Sequence, residues 1–336
     1  MNQSKFAKIG KAAAISAIFP VAVYLLFTVL CALLQKTGFN TWANMQIILR
    51  TAIYNGFIAW AFSYNMLNGR FDFSIGSVMV LSTIIGADLA VKLGCGPIGM
   101  LILFVVAGVV LGAISGILYV LLKVPSMVCS IGVTMVYEAL TFTLTGGNGV
   151  IMIGKNDLLV YATGPYIYVL CAIGLAVVVF LSRCTIFGYN FNALGMGQSV
   201  CVSVGIKEKS HAIKCYMLAG GLMACAGIIN FSILGTCQPK TGLSSSSYMM
   251  SAFLPMFVGS AIGRYSDRNL GILIGALIQA VITSGFTQMG LSSTLQSVLN
   301  AVIVLGFLFV ETNSYKIGQK RMFEEKRCAA LAEIQN

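Results

Sequence analysis

The chain has 336 residues, 58% of them hydrophobic and 9% charged, with a mean hydropathy of +0.89. Soluble domains run at roughly 45–50% apolar and about 25% charged residues, so this is an integral membrane protein, and at about 20 residues per span nearly all of its length is needed to cross the bilayer. No length remains for a nucleotide-hydrolysing domain, and a net charge of +11 suits the anionic inner leaflet and the membrane potential better than nucleic acid.

Lys5, Lys8 and Lys11 precede an apolar run at 12–34 that is long enough to span and stay, so no cleavable signal peptide is expected. Further runs fall at 46–66, 74–93, 97–122, 126–145, 165–182, 213–235, 247–263, 270–290 and 294–311. The expectation is an all-α integral membrane fold of about ten transmembrane helices over 12–311, with cytoplasmic tails at 1–11 and 312–336. Under that topology the outer segments hold only Lys36, Lys92, Lys155 and Lys240, and Arg50 lies just inside the second span. Every other lysine and arginine falls on the inner side, which places both termini in the cytoplasm of a plasma-membrane protein.

Small residues recur at helical spacing: Gly108, Gly112 and Gly116 in the fourth run, Gly220, Ala224 and Gly227 in the seventh, Gly271 and Gly275 in the ninth. They predict closely packed helices. Polar groups inside a membrane are costly, so Gln279 and Thr283, continuing the Gly271 face, and Ser293, Gln296 and Asn300, sharing one helix side, are candidates either to line a path for a hydroxyl-rich solute or to bond neighbouring helices. Asp72 sits in a glycine-bounded break at 68–77, NGRFDFSIGS, where Arg70 is the expected ion partner and Ser74 the expected cap of the next helix. Ser77 lies in the same break. Asp88 and Glu138 have no partner legible in sequence, and these two with Asp72 are the only groups able to serve an ion-driven transporter.

Several motifs carry no chemistry. At 149–156, GVIMIGKN approaches the phosphate-cradling pattern, but Asn156 replaces the hydroxyl that would hold magnesium and the topology puts the segment outside. The lone His211 is expected at the surface near the membrane boundary, with no second metal ligand nearby, so no metal site is expected. The ten cysteines read as small buried hydrophobes; Cys95 and Cys237 share the outer side and could pair.

One mid-chain excursion remains, 191–206, FNALGMGQSVCVSVGI, flanked by Arg183, Lys207, Lys209 and Lys214. It lies within a cytoplasmic loop at 183–212, well placed to be pushed by a soluble partner.

The residues resemble the permease subunits of ribose-type sugar ABC importers, within the wider group that includes branched-chain amino-acid permeases. The likeness covers nearly the whole chain. GRFDFSIGSV at 69–78 is similar to the family's G-G-I-D-L-S-V-G-S-V; Val124, Pro125, Ser126, Ile131 and Gly132, then Thr145, Gly146 and Gly147, resemble two further motifs. Ala193, Leu194 and Gly195, followed at the family's spacing by Val204, Gly205 and Ile206, resemble its loop motif. The sequence departs from the pattern at Gly197, Val200, Cys201 and Val204, at Glu138 where arginine is common, and across 258–269.

The resemblance implies the ABC importer permease fold, a second permease subunit in a homodimer, a cytoplasmic ABC ATPase, an extracytoplasmic solute-binding protein and surrounding membrane lipid. It implies no cofactor in this chain, ATP and magnesium belonging to the partner ATPase. Residues 194–204 become the coupling helix, with Gly195 and Gly205 supplying the turns at its ends and Met196, Gln198 and Ser199 meeting the ATPase. The expected function is import of a monosaccharide or similar small polar solute, with no enzyme activity in this chain. A nucleoside or branched-chain amino acid is the alternative cargo, and an ion-gradient transporter the alternative machine.

Overall fold

The computed structural model describes residues 2–36, 38–155, 157–162, 164–263, 267–310 and 313, without the side chains of 2–17 and 199. Asn156, Arg264 and all but residue 313 of the expected C-terminal tail lie outside that description. The chain forms two units, Met1–Met289 and Gly290–Asn336.

In the first unit the helices are α1 (Asn2–Leu33), α2 (Trp42–Met66), α3 (Ser74–Lys92), α4 (Pro97–Leu122), α5 (Ser126–Thr145), α6 (Gly164–Cys184), α7 (Ile186–Met196), α8 (Gln198–Ser203), α9 (Glu208–Leu234), α10 (Ser246–Met250), α11 (Phe253–Gly263) and α12 (Arg268–Gln288). Two short strands, β1 (Val150–Ile151) and β2 (Thr236–Cys237), pair antiparallel. The second unit contains α13 (Ser293–Val310). Over the described residues each of the ten apolar runs is mainly helical. Among the described residues seven helices are long and apolar enough to cross a membrane: α3, α4, α5, α6, α9, α12 and α13.

Local chemistry sets many of the boundaries. Thr41 caps α2 by accepting from the Asn44 N–H at 3.3 Å, and the Asp267 carboxylate caps α12 by accepting from the N–H groups of Asn269 at 2.8 Å and Leu270 at 3.4 Å. Pro97 opens α4 in its first turn, where its missing N–H costs nothing.

α2 is the hub. Every residue at 55–65 is buried, and the helix packs against α9 and α12. A helix buried all round belongs to a core, and here the core includes Phe57, Trp60, Phe62, Phe104 and Phe231. The indole of Trp60 donates to the Asn269 carbonyl at 2.8 Å, fixing α2 to the start of α12.

The glycine pattern does the packing expected of it. A Cβ on Gly108 would overlap the Gly220 carbonyl, one on Gly220 would overlap the Gly108 carbonyl, and Gly112 lies against the carbonyl of Tyr216. The backbones of α4 and α9 thus touch, where lipid offers no hydrophobic drive and contact alone holds helices together. Gly271 and Gly275 do the same against Gly259, Gly263 and Pro255 of α11.

The run at 247–263 is not one span. It is broken at Ser251 and Ala252 between α10 and α11. The cause is Pro255, which has no N–H and whose ring would clash with the carbonyl four residues back, so the helix restarts with Pro255 in its first turn. With 11 residues, α11 is about 16 Å long, half of a bilayer's roughly 30 Å core. Nor is the segment before it an exposed loop: Ser245 and Ser246 are buried, and the Ser245 carbonyl lies against Gly76 in the first turn of α3, leaving no room for a side chain there.

Gly220→Val is expected to lower stability by about 1–3 kcal/mol or to prevent folding, as overpacking does. Gly132→Ala, whose Cβ would meet no atom within 4 Å, is expected to leave the melting temperature in detergent unchanged or slightly raised. Equal melting temperatures for the two variants would contradict the α4–α9 packing described here.

Candidate functional site

Between α6 and α9 the chain builds two short helices, α7 and α8. Thr185 caps α7, its hydroxyl accepting from the Gly188 N–H at 3.4 Å. Phe187, Phe191 and Leu194 then recur at i, i+4 and i+7, so they line one side of α7 and turn inward. Phe191 and Leu194 are buried. Phe187 stacks on the ring of His211 from α9, centroids 4.8 Å apart and planes 13° from parallel. Phe191 meets the ring of Tyr64 from α2 edge-on at 5.2 Å, and the Arg268 guanidinium of α12 lies 4.7 Å above Phe191. One helix is therefore clasped by three others through aromatic and cation–π contacts.

The outward side is different. Met196 is 92% exposed, and Val200, Val202 and Val204 are exposed as well. Gly197, with an extended backbone at φ 170°, separates α7 from α8, and Gly205 closes α8 at φ 98°, a backbone angle that only glycine adopts readily. The expected single helix over 194–204 is thus two helices. The expected turn at Gly195 is absent: Gly195 is helical, and a Cβ there would meet the Leu67 carbonyl oxygen at an ordinary contact distance of 3.4 Å. Ala193 and Leu194 lie in α7, Ser199 in α8, and Ile206 between α8 and α9.

α8 is tied back to the bundle by Gln198, whose amide donates to the Asn68 carbonyl at 2.8 Å. Beside it Arg70 is buried, with Glu208 of α9 at 3.8 Å. This corrects the expected Arg70–Asp72 pair, since Glu208 reaches the guanidinium from α9 while Asp72 turns to α3. Its carboxylate accepts from the Ser74 N–H at 2.8 Å, the Ser74 hydroxyl at 2.6 Å and the Asn65 amide at 3.0 Å. Asp72, not Ser74, is accordingly the group that caps α3. Burial pushes the Asp72 carboxyl above its ordinary range, against the opposing pull of the bonds from Ser74 and Asn65. The Ser77 hydroxyl donates to the Ser74 carbonyl at 2.8 Å. Across the same end of the first unit, Arg183 pairs with Asp267 at 2.5 Å.

His211 is not at the surface. It is buried, stacked on Phe187, with Nε2 3.2 Å from the Phe187 carbonyl and Nδ1 3.4 Å from the Cys215 Sγ. The aromatic stripe of α7 is the signal that would have placed it.

The remaining carboxylates are committed structurally. Asp88 pairs with Lys92 at 2.6 Å on the surface of α3. Glu138 is buried and accepts from the backbone N–H groups of Leu243 and Ser245, both at 2.8 Å, so it holds the chain that leads into α10. That partner lies more than 100 residues away and is main chain, which no side-chain pattern announces. Gln279 is buried in α12, which packs on α2 and α11; Thr283 is one turn further along. In α13 the Gln296 amide donates to the Leu291 carbonyl at 2.9 Å, and Asn300 lies one turn on. Cys95 and Cys237 are free thiols, and the 149–156 segment holds β1 rather than a phosphate loop.

The fold is a bundle of helices of which seven, among the described residues, are long and apolar enough to cross a membrane. Residues 44–310 match the model of the branched-chain amino acid transport system / permease component family. Ribose import permease protein RbsC of Bacillus subtilis is 28% identical over 269 residues, 78% of this chain and 82% of that protein. L-arabinose ABC transporter permease protein AraH of Azospirillum brasilense is 26% identical over 311 residues, 89% of this chain and 88% of that one. Among solved structures, a metal-chelate-type ABC transporter in an inward-facing conformation covers 88% of this chain and 99% of its own, with a TM-score of 0.53 and 13% identity, and so speaks to fold alone. The chain belongs to the branched-chain amino acid transport system permease-component family. It is an ABC transporter permease, a transport subunit rather than an enzyme, working with an ATPase and a solute-binding protein in general.

Removing the Glu138 carboxylate orphans the buried Ser245 N–H, a loss of about 1–3 kcal/mol, and frees the half-buried N–H of Leu243. Glu138→Ala is expected to lower the melting temperature clearly and Glu138→Gln, which keeps one acceptor oxygen, to lower it less. Equal melting of Glu138→Ala and the natural protein in detergent would contradict the clamp.

Proposed function

We propose that this chain is the membrane-spanning permease of an ATP-driven importer that carries a monosaccharide or similar small polar solute into the cytoplasm by alternating access. Relatives named for ribose and L-arabinose import support the cargo class. The mechanical reading rests on one observation: the clasp of α7 by α2, α9 and α12 through Phe187 and Phe191. An ATPase that pushes the exposed Met196, Val200 and Val204 pushes three long helices at once. Coupling of this kind needs a contact that is exposed on one side and immobile on the other, and α7 with α8 meets both conditions.

In this reading 183–212 faces the cytoplasm, as do both termini at 1–11 and 312–336, the ATPase meets 193–206, and two copies of the chain form a homodimer that receives solute from an extracytoplasmic binding protein. An ion-driven machine is disfavoured, because Asp72, Asp88 and Glu138 are each occupied by the structural bonds given above.

The test uses proteoliposomes with the partner ATPase and solute-binding protein, reading D-ribose uptake per ATP hydrolysed. Phe191→Ala loosens the clasp and Gly205→Val strains the end of α8. Each is expected to lower uptake per ATP by about 5–150-fold, the usual span of a coupling free energy, while insertion into the membrane is kept. Unchanged uptake per ATP in both variants would refute the assignment.

A further inference from the structure

Behind the bridge between β1 and β2 lies a cavity of about 130 Å³, bounded by α3, α9, the segment after β2, and α10. That is room for several waters or one small solute. Its walls carry the amides of Asn230 and Gln238, the Lys240 ammonium, the Thr83 hydroxyl and the rings of Phe231 and Tyr248, and no carboxylate. Thr83 is already committed to the Met79 carbonyl at 2.7 Å. Asn230 and Gln238 are different: their amides bond no other described residue. Asn230 is half-buried and Gln238 exposed, so both amides are open to whatever enters the cavity.

The wall that carries Gln238 and Lys240 is held at several points. Cys237, just before it, pairs with Val150 in the two-stranded bridge, and the Lys240 N–H donates to the Thr141 hydroxyl at 3.4 Å. Leu243 and Ser245 are held by Glu138, which fixes the entry to α10 and with it Tyr248. The Lys240 ammonium lies 5.9 Å from the Tyr248 ring centroid. A few polar groups beside aromatic surface in a cavity is the usual make-up of a small-molecule site, and holding the backbone of its wall in advance lowers the cost of binding.

We propose that this cavity, built within a single chain, is a binding subsite for one small polyhydroxylated solute, neutral or anionic. Its hydroxyls bond the Asn230 and Gln238 amides, a C–H face of the solute rests on Tyr248, and any negative charge meets Lys240. The lack of a lining carboxylate excludes cationic solutes. The inference rests on the importer reading and adds where the solute sits and which groups recognise it.

Cys237 lines the same cavity and serves as its reporter. Burial lifts its thiol to about 12, so its alkylation is slow and is read against Cys95, which does not line the cavity. Membrane vesicles carrying the full chain are treated with N-ethylmaleimide, with and without D-ribose, L-arabinose, L-leucine or L-arginine, and each cysteine is followed by mass spectrometry. A pentose is expected to slow modification of Cys237 by about threefold, the effect of a solute at about twice its Kd, while Cys95 is unaffected and L-arginine protects neither. Asn230→Leu and Gln238→Leu are expected to remove the protection. Equal Cys237 rates with and without each pentose in the natural chain overturn the proposal, whatever the variants do. Pentose uptake by cells is read in parallel. Uptake without protection removes the subsite and leaves the importer reading standing, whereas protection by L-leucine and by neither pentose overturns the solute class in both.

Discussion

The clasp on α7 is the constraint from which the functional account follows. Phe191 lies between Tyr64 of α2 and Arg268 of α12 while Phe187 stacks on His211 of α9, so a helix of only 11 residues is bonded to three of the longest helices in the chain. Aromatic pairs of this geometry are worth about 0.5–1.5 kcal/mol each beyond the area they bury. In the proposed mechanism a force applied to the exposed side of α7 and α8 is passed on as displacement of helices rather than lost in bending of a loop.

Two kinds of contact let the helices move as bodies. Backbone touches backbone where Gly108 and Gly112 of α4 meet Gly220 and Tyr216 of α9, and where Gly271 and Gly275 of α12 meet α11. Buried carboxylates then hold the breaks: Asp72 caps α3 at the discontinuity after α2, and Glu138 fixes the approach to the interrupted α10–α11 segment. Irregular backbone at membrane depth is tolerated only where protein encloses it, and these two carboxylates supply acceptors for backbone N–H groups at both breaks. The cavity bearing Asn230 and Gln238 sits against one of the segments so held.

Much of this was legible in the chain. Runs of hydrophobicity marked the helices, and small residues at helical spacing marked faces that pack closely, though not that α4 would meet α9. The polar, glycine-marked excursion at 191–206 marked where the two short helices α7 and α8 fall between longer ones. What escaped was set by long-range partners. Glu138 bonds main-chain N–H groups over 100 residues distant, which have no side-chain signature. Arg70 has an acid two residues away in Asp72, yet Glu208 reaches it, because proximity in sequence does not settle pairing once α9 folds against the α2–α3 connection. His211 read as a boundary residue because its stacking partner Phe187 lies in a different helix. Pro255, by contrast, was in plain sight inside the eighth run and marked the break between α10 and α11.

The central claim is that α7 moves with α9 when the partner ATPase closes. Nitroxide labels at Met196→Cys on α7 and Ile233→Cys on α9, and in a second pair at Met196→Cys and Met127→Cys on α5, report it through electron–electron distances in the reconstituted complex. All three positions are exposed enough to label. Trapping the ATPase with ADP and vanadate is expected to hold the Met196–Ile233 distance and to shift Met196–Met127. A shift of Met196 away from Ile233, or no shift in either pair, would contradict the account.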